Sequence, residues 1–406
     1  MDLLLKNCFL LDANSDYVSA DIKISAGLIT SVAVKNNEDG ESKDYTVVNC
    51  KNPEYECEVT DMKGYTVMPS VIDSHLHVSS RNGHSAQLLR GLAENGISTV
   101  RDMGMLNSLP LEDYMGWLTK HQGPEYASVV TAGRYIDVAD GYGMGPNNAG
   151  WGIEISSAED AKAAVEYQKA RGVDGIKTGI SDGYTGPIRN RISKELFRAL
   201  AGACKSNGLW FSAHIGRVDD LRFAVENGIT DAAHTPGDKE MEDDLIAMMV
   251  EKHISMNTTV GNMAAPLRFL PKGYKDEAEL RQNQQNMLNN LKRFYDAGGL
   301  IVTGTDRQDR DGSGGNTQIP VWEMQQLLNA GIPFKEVIKT ATLNGALLCG
   351  RNDEGLIEEG MKANLIAFKG KMDNSFSQLL DLKFVMHEGT ILKHETGFVH
   401  ALENIS

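Results

Sequence analysis

The hydrophobic pattern of this chain changes texture twice along its length. Before Val67, short apolar runs and period-two alternation predict strands. They are Leu3-Leu4-Leu5, Cys8-Phe9-Leu10-Leu11 and Asp21-Ile22-Lys23-Ile24-Ser25, with an Ala26-Gly27 turn before Leu28-Ile29-Thr30-Ser31-Val32. The polar, acidic stretch 35–51 reads as an exposed loop or hairpin. From Val67 onward, short apolar strands alternate with amphipathic helical segments. The strands include Ser98-Thr99-Val100, Ser128-Val129-Val130-Thr131, Gly175-Ile176-Lys177 and Trp210-Phe211-Ser212-Ala213. Ile229-Thr230-Asp231-Ala232-Ala233 and Ile301-Val302-Thr303-Gly304 continue the series, with helix-like runs at 157–170, 193–206 and 218–226. Ser157 followed by Asp160 predicts a helix start of the capping-box kind, with Asp in place of Glu.

Strand–helix units of this length imply parallel strands joined by right-handed crossovers. A closed eightfold barrel and an open doubly wound sheet both satisfy the pattern. No GxGxxG or Walker-type loop appears, which counts against the nucleotide-binding open sheet. Strand texture returns after about Arg351, in Asn364-Leu365-Ile366-Ala367-Phe368 and Phe384-Val385-Met386. The two chain ends are therefore expected to form one small β-domain around a continuous α/β body.

Composition narrows the function classes. At 406 residues the chain exceeds a single ordinary core, so a large barrel with an accessory domain, or two domains, is expected. A net charge of -15 argues against a general binder of the phosphate backbone, so nucleic acid is not an expected partner. No run approaches the roughly 18–20 apolar residues of a membrane span, and the short apolar run at the start is not expected to be a signal peptide. The five cysteines are scattered without a CxxC pair, which fits inert thiols in a reducing cytoplasm.

The chemistry concentrates at strand ends. Asp73-Ser74-His75-Leu76-His77 follows the apolar Val67-Met68-Pro69-Ser70-Val71-Ile72. Two histidines one residue apart on a strand face the same side, and imidazole suits zinc and similar divalent ions. Lys177, His214, His234 and Asp306 recur at the ends of later apolar strands. In a barrel, strand C-termini converge on one point, so these residues form a constellation rather than isolated polar positions.

With these residues in view, the whole chain resembles the amidohydrolase superfamily, in the branch of imidazolonepropionase-like and prolidase-like (Xaa-Pro dipeptidase) enzymes. The matching stretches run from Met68-Pro69-Ser70-Val71-Ile72-Asp73-Ser74-His75-Leu76-His77 and Gly96-Ile97-Ser98-Thr99-Val100-Arg101-Asp102-Met103-Gly104 to Gly228-Ile229-Thr230-Asp231-Ala232-Ala233-His234 and Gly304-Thr305-Asp306. Ala341-Thr342-Leu343-Asn344-Gly345-Ala346 and the stretch 355–365 extend the resemblance towards the C-terminus. It implies a TIM (β/α)8 barrel over 66–352, with a small β-sandwich built from 1–65 and 353–406. It also implies that His75, His77 and Asp306 hold the more buried of two divalent ions, zinc by family habit, and that His214 and His234 hold the second. Lys177 matches the lysine that carbon dioxide carboxylates in binuclear members, its carbamate bridging both ions.

The implied reaction is hydrolysis of an amide or related C–N bond by a metal-activated bridging hydroxide, with Asp306 carrying the proton to the leaving nitrogen. The substrate is expected to be small: an N-acyl amino acid, a dipeptide or a cyclic amide. Prolidase-like members commonly carry a Gly-Gly-His-type element after the third strand. Here Val138-Ala139-Asp140-Gly141-Tyr142-Gly143-Met144-Gly145-Pro146 has no histidine, so a dipeptidase assignment does not transfer directly. Pocket candidates are Tyr142, Arg217 as partner of a substrate carboxylate, His84 and Arg307, with the run 309–315 as a loop over the site. A mononuclear deaminase of a heterocycle and a non-catalytic scaffold remain alternatives, and a homo-oligomer is compatible with either fold reading.

Overall fold

The computed structural model describes residues 2–35, 58–80, 83–181, 189–263, 277–308, 315–372, 374–395 and 400–402. The stretch expected as a loop at 35–51 lies outside them apart from Lys35, as do residues 309–314.

Among the described residues, the α/β body contains a two-stranded parallel pair, Tyr135–Asp137 with Gly152–Glu154, and two larger parallel sheets. One orders Gly175–Gly179, Trp210–His214, Asp231–Ala232, Ser255–Asn257 and Ile301–Val302 in sequence. The other orders Ser128–Thr131, Ile97–Asp102, Val71–His77 and Arg307–Gln308. Backbone hydrogen bonds link the two, from Asp174 N to Thr131 O and from Ser74 N to Thr303 O, both at 2.9 Å.

The helices between the strands follow their apolar stripes. Lys194–Ser206 buries Phe197, Leu200, Ala203 and Cys204, a 3.6-period face, and Ser193 caps it by accepting from Leu196 N. The predicted capping box is present: Ser157 accepts from Asp160 N, and the Asp160 carboxylate accepts from the Ser157 backbone. Such faces join the inner strands in one large apolar cluster that includes Leu76, Val100, Ile176, Phe211 and Leu291. No described helix is long and apolar enough to cross a membrane.

Strands from both chain ends share one further sheet. Tyr65–Pro69 pairs parallel with Leu3–Leu11 and antiparallel with Leu365–Lys369, which continues into Phe384–His387 and Thr390–His394. Leu3–Leu11 also pairs with Asp16–Ser25, which pairs with Leu28–Lys35. Leu5, Leu10, Ile22, Leu365 and Phe384 fill a separate apolar cluster against this sheet. The join explains the position of the site. Tyr65–Pro69 runs through Ser70 straight into Val71–His77, so one end of that strand path is anchored in the end sheet and the other carries the two histidines.

Candidate metal centre

Val71–His77 is buried along its whole length, and its pleat sends His75 and His77 to the same side. His75 Nδ1 lies 2.8 Å from Ala233 O, and His77 Nδ1 lies 2.7 Å from Gly104 O. A carbonyl only accepts, so both Nδ1 atoms carry the proton and both Nε2 lone pairs face the centre. His234 Nδ1 instead meets a hydroxyl, Thr259 Oγ1 at 2.9 Å. Its ring stands 4.7 Å from that of His75 and 4.5 Å from that of His214. Burial pushes the imidazoles of His75 and His214 well below their ordinary range, and that of His234 down to about 3. Neutral imidazole is the form that ligates a metal.

Asp306 closes the group from across the junction of the two sheets. Its Oδ1 lies 3.1 Å from His77 Nε2 and 3.5 Å from His75 Nε2, and the three ligand atoms fall within 4.8 Å of one another. Burial would raise the Asp306 carboxyl, but the His77 edge and the surrounding histidines prevail and hold it below the usual carboxylate range. An ionised carboxylate thus faces an imidazole nitrogen whose proton is committed elsewhere, and a proton or a cation must lie between them. His75 Nε2 and Lys177 Nζ are buried without a hydrogen-bond partner among the described residues. The donor set fits a divalent ion.

Asp306 is held by force. Its φ is 53°, rare outside glycine, and its backbone N–H donates to His75 O at 2.6 Å. Thr305 donates through Oγ1 to Asp73 Oδ2 at 2.6 Å and through its N–H to Asp73 Oδ1 at 3.1 Å. Gly304 is required for this approach, since a Cβ there would meet His75 Cβ at 2.7 Å. Asp73, quoted within the His-x-His motif, is thus the anchor for Asp306. Sequence reasoning missed that role, as it missed Thr259 entirely.

Lys177 extends from Gly175–Gly179 into the same interior at 1% exposure. Burial pushes its amine down from 10.5 to about 7, against the pull of Asp306 and Asp231. Around neutral pH a large fraction is therefore unprotonated and nucleophilic.

A cavity of about 210 Å³ opens over the centre, lined by Tyr142, His214, His234 and Asp306 together with Asp238 and Asn283. Tyr142 stacks on His214 with ring centroids 3.8 Å apart. The other pocket candidates are not among the described residues lining this cavity. Arg217 sits at the start of helix Val218–Asn227 and is not among the described lining residues. Arg307 lines a separate cavity of about 650 Å³ with Trp322 and Glu323, and its guanidinium donates to the carbonyls of Asn316 and Gln318. His84 packs on Tyr114 and Trp117, at 4.7 and 5.2 Å between ring centroids.

The model of the amidohydrolase family matches residues 66–393 of the chain. The chain is 28% identical over 123 residues to a dihydroorotase of Bacillus pumilus, a match covering 29% of this chain and 25% of that protein. It is 24% identical over 416 residues to a 5'-deoxyadenosine deaminase of Methanosarcina mazei, covering 90% and 84% of the two. The chain thus spans about a quarter of the dihydroorotase's length. Its fold is that of a Xaa-Pro dipeptidase crystal structure at a TM-score of 0.74, with 19% identity over 96% of this chain and 99% of that one. That likeness makes the α/β body TIM-barrel-like. The chain belongs to the amidohydrolase family.

Proposed function

We propose that the protein hydrolyses an amide or related C–N bond of a small molecule at a binuclear divalent-metal centre. His75, His77 and Asp306 would hold one ion, His214 and His234 the other, and the carbamate of Lys177 would bridge them. The observation that carries this reading is the pair of acceptors, Asp306 Oδ1 and His77 Nε2, held 3.1 Å apart beside the unpartnered His75 Nε2 and Lys177 Nζ. Zinc suits a set rich in imidazole. The reading includes a closed eightfold barrel over 66–352, a β-sandwich from 1–65 and 353–406, and a cytoplasmic protein free to form homo-oligomers.

Bound divalent ions would supply acidified water and polarisation of the scissile carbonyl. The chain's own residues do the rest. The unprotonated Lys177 amine forms a C–N bond to carbon dioxide and loses a proton to water, which turns a cation-repelling group into an anionic one. Asp306 takes up a proton at its carboxylate and gives it to the leaving nitrogen. The Tyr142 ring covers His214 and keeps bulk water from that edge of the centre.

N-acyl amino acids, dipeptides and cyclic amides are the substrate classes to test, the last favoured by the dihydroorotase relative. A deaminase is the second reading, supported by the deaminase match over 90% of this chain. The buried, unpartnered Lys177 speaks for the binuclear hydrolase, because a single-ion site has no use for a carbamate there. The deciding experiment screens the metal-loaded protein against these classes, reading amine and ammonia release separately alongside metal content. About two ions per chain with bicarbonate dependence and amine release is the expected result. One ion with ammonia release from heterocycles would sink the hydrolase reading.

A further inference from the structure

The histidines of the centre are not all held in the same way. His75 and His77 direct Nδ1 at backbone carbonyls, which fix the tautomer because they can only accept. His234 directs Nδ1 at the Thr259 hydroxyl, 2.9 Å away, and a hydroxyl can donate or accept. Its control over the ring depends on how firmly it is placed.

Thr259 has a φ of 44°, in the left-handed region where a β-branched residue is an outlier. Such a conformation persists only where the surroundings over-determine it. On one side, Thr259 N donates to Gly304 O at 3.0 Å, Thr258 Oγ1 donates to the same carbonyl at 3.1 Å, and Gly304 N donates to Thr258 Oγ1 at 3.2 Å. On the other side, the two oxygens of Glu323 accept the N–H groups of Val260, at 3.0 Å, and of Gly261. Glu323 belongs to Val321–Asn329, a helix otherwise outside the centre, yet its side chain is turned inward and the residue is 3% exposed. It forms no salt bridge among the described residues. A buried carboxylate without a salt-bridge partner is costly to keep, and here both of its oxygens serve the turn that carries Thr259. That turn also meets Gly304, two residues before Asp306, so it braces both sides of the centre.

We propose that Glu323 and Thr259 are positioning residues for His234. The carboxylate pins the 258–261 turn, and the pinned hydroxyl accepts the Nδ1 proton, leaving Nε2 free for a metal ion. The inference rests on the metal-centre reading above and adds to it a device, reaching in from a neighbouring helix, that favours one of the two ion positions. Thr259→Val keeps the volume and the β-branch and removes only the hydroxyl. Thr259→Ser restores it. Glu323→Gln replaces one acceptor oxygen with an N–H that opposes a backbone N–H.

The test titrates purified parent and variants with Co2+, following the visible d–d absorption. Thr259→Val is expected to weaken one ion about 10–100-fold, the usual effect of losing a ligand's outer partner, and to leave the other unchanged. Thr259→Ser should return to within a few-fold of the parent, and Glu323→Gln should weaken the same ion. A folded Thr259→Val protein that binds both ions like the parent, or weakens both equally, overturns the proposal. Should the variants fail to fold, 15N NMR of the histidine rings in chelator-treated parent decides. His234 protonated at Nδ1 supports the proposal, and His234 protonated at Nε2 overturns it. Failure of the parent to bind Co2+ at all would overturn the metal-centre reading instead, and the ring measurement would still decide this one.

Discussion

At the scale of single residues, Asp306 and Lys177 carry the clearest consequences. Asp306 combines a left-handed backbone with a carboxylate facing two imidazoles, so replacing it should separate chemistry from folding. Asp306→Asn is expected to keep the far-ultraviolet circular dichroism of the parent while turnover falls by about 10²–10⁴-fold, the usual worth of a positioned proton carrier. Near-normal turnover in a metal-loaded variant would remove Asp306 from the proton path. Lys177 gives a pH dependence. Its amine is pushed down to about 7, so below that value it is protonated and inert toward carbon dioxide, and above it the free amine prevails. Reconstitution of metal-free protein with Zn2+ and bicarbonate should therefore speed up as pH rises through 7 and level off beyond. A rate that is flat across this range would argue against a carbamate. Both residues were legible in the sequence because each follows a short apolar run, Ile176 before Lys177 and Ile301-Val302 before Asp306. Asp73 and Thr259 as anchors were not, because Asp73 acts on Thr305, 232 positions away, and Thr259 shows only a common polar residue in a loop.

Among the elements, the short turn after Tyr135–Asp137 stands out. Asp137 is buried and accepts from Val138 N and Gly143 N, both at 2.8 Å, which shapes the loop that carries Tyr142 over His214. Burial raises its carboxyl to about 7, whereas an unfolded aspartate titrates near ~3.9. The folded state therefore holds a proton that the unfolded state has released across this interval. Stability is complete below about pH 4 and declines as pH rises towards 7, by up to ~1.4 kcal/mol per pH unit for this group. Urea unfolding of parent and Asp137→Asn between pH 4 and 7 checks it. The variant should show a flatter dependence, and parallel curves would exclude Asp137 as the source. The helices themselves were well predicted, since caps such as Ser157 with Asp160 act within four residues and need no distant partner.

For the molecule as a whole, one buried ion pair ties the two parallel sheets together beneath the centre. Arg101, from Ile97–Asp102, donates to Asp231 of the other sheet at 2.7 Å, and its guanidinium lies 3.7 Å over the Trp210 ring. Asp231 also accepts from Ser212, Ser255 and Asn257, so its charge is fully met. Gly175 makes room for Trp210, since a Cβ at that position would lie 1.9 Å from the indole. Arg101→Ala strands a buried carboxylate and should cost about 3–5 kcal/mol in urea unfolding, while Arg101→Met with Asp231→Leu should recover much of that. A loss under ~1 kcal/mol in the single variant would mean that the pair does not bind the sheets.

What the sequence determined by itself was whatever depends on local order: the strand–helix alternation, the capped helix starts, and the histidine, lysine and aspartate residues in or just after apolar strand segments. Apolar periodicity and strand direction are properties of neighbouring residues, and parallel strands bring their C-termini to one side whatever the details. Only the tertiary structure decided the rest. It set which edge of His75 and of His77 meets a carbonyl, that Tyr142 stacks on His214 while Arg217 lies outside the described cavity lining and Arg307 lines another, and that Glu323 reaches in from a neighbouring helix. Each of these turns on the direction of one side chain against a partner tens to hundreds of positions away. That direction is set by packing across the two sheets, and no spacing along the chain encodes it.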